Sequence, residues 1–170
     1  MGLFANVLAA IAGAAVLGGT GLAAGQSHDR SNPPLPPEGA SDTQLAAWKS
    51  RYVDDLGYVE AATDARRVLL FDPASLRAEP DGLVIAMFRS ENFRPVKEGD
   101  KLIRSVRKRV EIDCPGLRYR ELTFEGFAHS NLREPVRNVP YKLNWTQPFA
   151  KDSGVGRALG MACDHAKKQN

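Results

Sequence analysis

The sequence predicts an α+β fold: a single antiparallel β-sheet of about four to six strands, with a C-terminal helix packed on one face and tied to it by a disulfide. Three observations carry this expectation. From Tyr58 onward, short apolar runs alternate with turn-forming clusters at hairpin spacing. The last stretch of chain switches to a three- and four-residue period. The chain holds two cysteines, Cys114 at the end of an alternating run and Cys163 inside the helical stretch.

The chain has 170 residues, 43% of them hydrophobic and 25% charged, which is ordinary for one globular domain. A formal charge of +3 and a pI near 9.0 favour anionic surfaces as partners but fall short of a nucleic-acid binder's footprint. No nucleic acid is therefore expected.

Residues 1–25 are free of charged side chains, and Leu3 to Gly25 are small and apolar. They read either as a secretory signal ending in "GLAAGQS" or as an uncleaved N-terminal anchor, which would be the chain's one contact with a membrane. No cysteine follows that would serve a lipoprotein anchor. Either reading exports the rest, to the periplasm, the cell surface or the medium. Residues 26–40, "QSHDRSNPPLPPEGA", have little to bury and read as an extended Pro-rich linker, leaving 41–170 as the single folded domain.

The domain opens on "SDTQLAAWKSRY", a short helix with Ser41 as N-cap, Gln44 at capping-box spacing, and Leu45, Trp48 and Tyr52 on one face. "ARRVLLFD" and "GLVIAMFRSE" are strands bounded by "DPAS", "EPDG" and "EGD". In "IRSVRKRVEIDC", Val106, Val110, Ile112 and Cys114 point one way and Arg107, Arg109, Glu111 and Asp113 the other. Lys108 falls on the inward face, which calls for snorkelling at a sheet edge or for a bulge. "LRYRELTFEGFAHS" follows as a strand, and "PYKLNW" is a candidate for one more. In "DSGVGRALGMACDHAKK", Val155, Ala158, Leu159, Ala162, Cys163 and Ala166 form an apolar stripe, with Ser153 as N-cap and Lys167 and Lys168 at the C-terminal end of the dipole. Gly160 is costly in a helix unless it admits a close approach to the sheet.

If that helix covers the sheet, both cysteines enter one interface, and in an exported protein they would oxidise. Free buried thiols or thiol chemistry are the alternatives. The spacing is neither CxxC nor a zinc pattern, and His165 is two residues from Cys163, on a different side of the helix. No metal or cofactor site is expected.

The stretches "YVEAATDARRVLLFD", "VEIDC" with "LRYR" close behind, and "NWTQPFAKDSGVGRALGMAC" resemble the surface-adhesin protein E-like family of bacterial exported proteins. The resemblance spans roughly residues 50 to 167. It implies a compact antiparallel sheet carrying a C-terminal helix held by a Cys114–Cys163 bridge. Founding members of that family are linked to host-matrix and plasma-protein binding. The Pro-rich linker, the Ala/Gly-rich leader and the absent lipobox imply a different attachment to the cell.

The strongest chemical feature is a basic strip, "RPVKEGDKLIRSVRKR", with Arg94, Lys97, Lys101, Arg104, Arg107, Lys108 and Arg109 against Glu98 and Asp100. On a hairpin it would meet acidic extracellular-matrix proteins, anionic polysaccharide or other acidic macromolecules, or lipid headgroups. The competing reading is a charge-blunted sheet edge. An enzyme is not expected: His129 near Ser130 and Glu134 is only local proximity, and there are no paired carboxylates, phosphate loop or GxSxG. Two function classes therefore stand. One is an exported adhesin-like binding module. The other is a periplasmic accessory protein whose partner is another envelope component. A pocket between sheet and helix is a third, although no polar residues converge there in the sequence reading.

Overall fold

The computed structural model describes residues 29–140 and 144–169. The leader, with its signal-or-anchor expectation, lies outside the described residues, as do residues 26–28 of the Pro-rich stretch.

Helix α1 (Asp42–Tyr52) begins in the expected capping box, Ser41 and Gln44 each accepting the other's backbone N–H. Six strands follow: β1 (Val59–Thr63), β2 (Arg67–Ala78), β3 (Val84–Glu98), β4 (Lys101–Asp113), β5 (Arg118–His129) and β6 (Arg133–Pro140), then helix α2 (Gly154–Gln169). They form one open antiparallel meander in the order β1-β2-β3-β4-β5-β6.

Three details differ from the sequence reading. "DPAS" is a bulge inside β2 rather than a turn. Asp72 accepts the Ala74 N–H, Ser75 bonds back to the Asp72 carbonyl, and pairing with β3 resumes at Arg77. The sixth strand is "REPVRNVP", not "PYKLNW". Pro140 ends β6, residues 141–143 lie outside the described part, and Asn144 and Trp145 are in no strand. β4 is paired on both sides from Ser105 to Asp113, so Arg107, Lys108 and Arg109 blunt no sheet edge and Lys108 is accommodated in the interior of the sheet. Arg94, Lys97 and Lys101, by contrast, lie on the end of the β3–β4 hairpin that runs past its pairing with β2 and β5.

The two helices take opposite faces of β2, as period two requires. Leu69 and Phe71 join Ala86, Val110, Ile112 and the α2 residues Ala158, Leu159, Ala162, Cys163 and Ala166 in the main core. Val68 and Leu70 meet Trp48 of α1 and Phe93 on the other side. Ser153 caps α2 by accepting the Gly156 N–H at 3.0 Å. Cys114 and Cys163 are bridged, with Cα atoms 5.9 Å apart. The glycine that α2 needs is Gly156, not Gly160. A Cβ on Gly156 would lie 2.0 Å from the Ala150 carbonyl oxygen, whereas one on Gly160 would meet nothing within 4 Å. Residues 29–40 of the Pro-rich stretch are fastened along the domain. Pro33 is buried, the Pro34 carbonyl accepts from Trp48 Nε1 at 2.9 Å, and the Pro33 carbonyl accepts from Arg104 at 3.1 Å.

Candidate functional site

The seven cations of the strip do not form one surface. Because β4 is extended, neighbours along it face opposite ways. Arg104 is occupied by the Pro33 carbonyl. Arg107 and Arg109 lie on the α1 side of the sheet. Lys108 lies on the α2 side, where its ammonium reaches Glu121 at 2.5 Å and stands 5.3 Å over the Phe124 ring. The bulge opposite Arg109 and Val110 lies in β5, at Leu122, and leaves Lys108 on the same face as Val106 and Val110, so the inward lysine is accommodated by its pairing with Glu121 and not by a shift of β4. Arg94, Lys97 and Lys101 remain exposed on the far half of the β3–β4 hairpin. Of these, Lys101 has Asp100 at 3.4 Å, while no acid pairs with Arg94 or Lys97 among the described residues.

Arg94 is joined by two cations that sequence reasoning passed over. Asp64 folds the β1–β2 turn by accepting the Arg66 and Arg67 N–H groups at 2.8 and 3.1 Å. The Arg66 carbonyl then takes the Phe93 N–H at 2.9 Å, which lays the turn against the irregular stretch of β3 between Glu91 and Val96. The result is a groove of about 550 Å³ lined by Arg66, Arg67 and Arg94 with Asn92, Phe93 and Pro95. Arg67 has a long contact to Asp64, 3.7 Å, and Arg66 and Arg94 have no ion pair among the described residues. The arginine pair in "DARRV" was the available signal, but its nearness to Arg94 depends on strand pairing.

On the α1 side, β4 and β5 carry a cross-strand ladder. Arg118 meets Asp113 at 2.7 Å, Arg120 meets Glu111, and Arg107 meets Glu125 at 2.5 Å. The Arg118 hydrogen bond, followed by that from the Gly116 N–H, holds the Asp113 carboxyl below the ordinary carboxylate range despite some burial. Burial works against the charge of Arg107, but Glu125 outweighs it and raises that pKa further.

Next to the ladder sits a buried polar network. Arg89 and Glu91, two apart on β3 and so on one face, form an ion pair at 2.7 Å with side chains 0% and 2% exposed. Arg89 also donates to the Asp54 carbonyl and to Asn131 Oδ1, at 2.6 and 2.7 Å. Glu91 also accepts from Ser105 Oγ and the Asn131 N–H, at 2.7 and 3.0 Å. Asn131 Nδ2 donates to the Arg30 and Tyr52 carbonyls. The network ties the N-terminal segment, the α1 exit and the β5–β6 turn to the sheet. With each of its charged groups partnered inside the network, it fastens these segments together.

His129 divides its ring between Asn32 and Glu134, at 3.1 and 2.9 Å. Between α2 and the sheet there is a cavity of about 70 Å³, lined by Phe88, Val106, Val110 and Leu159. Contrary to the sequence reading, Arg67, Ser90 and Lys108 do reach it. Among the described residues no group of three or more His, Cys, Asp or Glu side chains has metal-binding geometry.

No protein-family model and no curated protein matches the chain. Two solved structures of Haemophilus influenzae protein E do resemble it. Crystal form II aligns with a TM-score of 0.50 at 13% identity, covering 66% of this chain and 91% of that one. The selenomethionine form aligns with a TM-score of 0.50 at 16% identity, covering 68% and 92%. The chain thus has a protein E-like fold, in agreement with the resemblance of its motifs.

Proposed function

We propose that this chain is an exported, non-enzymatic surface-binding module that holds acidic macromolecules in the arginine groove between the β1–β2 turn and β3. The observation that carries this is the convergence of Arg66, Arg67 and Arg94 on one groove, with Lys97 exposed just beyond it. The exposed guanidinium groups of Arg66 and Arg94 have no ion-pair partner among the described residues, and guanidinium groups match carboxylate or sulfate geometry in pairs. The protein E-like fold and the apolar leader support export and a surface location. The disulfide supports an oxidising compartment.

The test uses polyglutamate as the acidic polymer, with binding measured across a salt series. Arg66→Gln, Arg94→Gln and Lys97→Gln together should weaken binding at least tenfold and flatten its salt dependence. Lys151→Gln, Lys167→Gln and Lys168→Gln, an equal loss of charge elsewhere, should leave binding within twofold. Equal effects from both sets would reduce the groove to its share of net charge and end the proposal.

A second reading, an accessory protein whose partner is another envelope component, is favoured by Val96 and Leu102. These aliphatic side chains lie 51% and 60% exposed at adjacent rungs near the tip of one hairpin, one on each of its faces, so a partner would have to clasp the hairpin from both sides. Loss of co-purification from intact envelopes on Val96→Ser and Leu102→Ser, with polyglutamate binding intact, would favour it over the groove.

A further inference from the structure

The α1-side face of β4 and β5 carries no helix among the described residues, and its side chains are set by register. Asp113 stands opposite Arg118, Glu111 opposite Arg120, Arg109 opposite Thr123, and Arg107 opposite Glu125. Three of these rungs close as arginine–carboxylate pairs. The fourth does not. Thr123 accepts the Arg109 backbone N–H at 3.3 Å, and no acid meets the Arg109 guanidinium among the described residues.

The chain then brings an aromatic ring to this ladder. Beyond the end of β6, Thr146 donates its N–H to the Tyr119 carbonyl at 2.9 Å and Phe149 donates to the Leu117 carbonyl at 2.9 Å. This seats Trp145 with the guanidinium carbons of Arg118 and Arg120 at 5.4 and 4.8 Å from its ring. The indole is only half-buried.

We propose that this face binds an anionic polysaccharide, with the Arg109 guanidinium holding a sugar's acidic group and the Trp145 ring packing on a sugar face. Each part of the surface has a matching task. The closed pairs are planar hydrogen-bonding groups fixed in place, able to meet hydroxyls without adding net charge. The one open guanidinium takes the acid. The aromatic ring offers a flat apolar surface with little entropy to lose on binding. An acidic peptide is the poorer fit. β4 is interior where the ladder runs, β6 covers β5 from Thr123 onward, and Thr146 and Phe149 take up the β5 edge at Tyr119 and Leu117, so no free strand edge is offered. The ladder is also separate from the arginine groove. Arg94 is seven residues along β3 from Met87, the strand partner of Arg109, or about 20 Å.

The test is run in the groove-neutralised background (Arg66→Gln, Arg94→Gln, Lys97→Gln) with polygalacturonate as probe, following tryptophan fluorescence and dissociation constants. Binding should persist in that background and perturb an emission that Trp145→Phe removes. Arg109→Gln should weaken it about tenfold, and neutral dextran should not bind. Three results would overturn the proposal: loss of polygalacturonate binding in the groove-neutralised background, indifference to Arg109→Gln, or an equal fluorescence response to polyglutamate. The first would still leave the groove reading intact, and failure of the groove reading would not remove a Trp145 response.

Discussion

Substituting Glu91 by Ala is expected to be the most damaging single change in the buried polar network. The carboxylate is 2% exposed and accepts from the Arg89 guanidinium, the Ser105 hydroxyl and the Asn131 N–H. Its removal leaves a fully buried guanidinium without a counter-charge and two neutral donors without acceptors. Breaking a buried pair from one side costs about 3–5 kcal/mol, mostly the desolvation of the charge left behind. The neutral donors add a smaller amount that is not simply additive. Against a total of about 5–15 kcal/mol for such a domain, this is about a fifth of its stability at the least. It corresponds to a fall in Tm of roughly 10–15 °C. The measurement is urea unfolding of the wild type, Glu91→Ala, Arg89→Met and the double variant Arg89→Met/Glu91→Leu. The double variant should lose clearly less than the sum of the singles, since it removes both charges together. A loss below about 1 kcal/mol for Glu91→Ala would mean that Arg89 reaches water, and would refute the reasoning.

The glycines of α2 should part ways on substitution. Gly156→Ala forces a Cβ to within 2.0 Å of the Ala150 carbonyl and should cost about 1–3 kcal/mol by urea titration. Gly160→Ala meets open space and should gain up to about 1 kcal/mol. Asp113 carries a pH signature. Its folded pKa is depressed by Arg118, so its contribution is complete above about pH 5 and fades as the pH falls through the depressed value. The stability difference between wild type and Arg118→Met, at most about 1 kcal/mol for so exposed a pair, should be present at pH 6 and shrink steadily as the pH falls below the ordinary carboxylate range.

The sequence carried the elements whose signal is local. The α2 stripe, the Ser41–Gln44 box and the alternation of Val110, Ile112 and Cys114 depend on spacing alone, and each was legible. What escaped depends on neighbours. Periodicity says which way a side chain of β4 points but not how many strands lie beyond it, so seven cations within one stretch of chain read as one strip when register divides them. "REPVRNVP" lacks apolar alternation because β6 is an edge strand whose prolines need no inward partner. Arg89 and Glu91 look like ordinary surface charges in "FRSENF". Their burial depends on Asn131, about 40 residues downstream. Arg66 and Arg67 become part of a site only when the Phe93 N–H reaches the Arg66 carbonyl.

Digestion of the protein from its native host with trypsin, unreduced and with free thiols blocked, bears most directly on the claim beneath all of this. A helix clamped by sulfur onto the sheet, outside a reducing compartment, should yield Val110–Arg118 and Ala158–Lys167 as one linked species that separates on reduction. Recovery of the two peptides apart, each carrying the blocking group, would contradict both the clamp and the export that forms it.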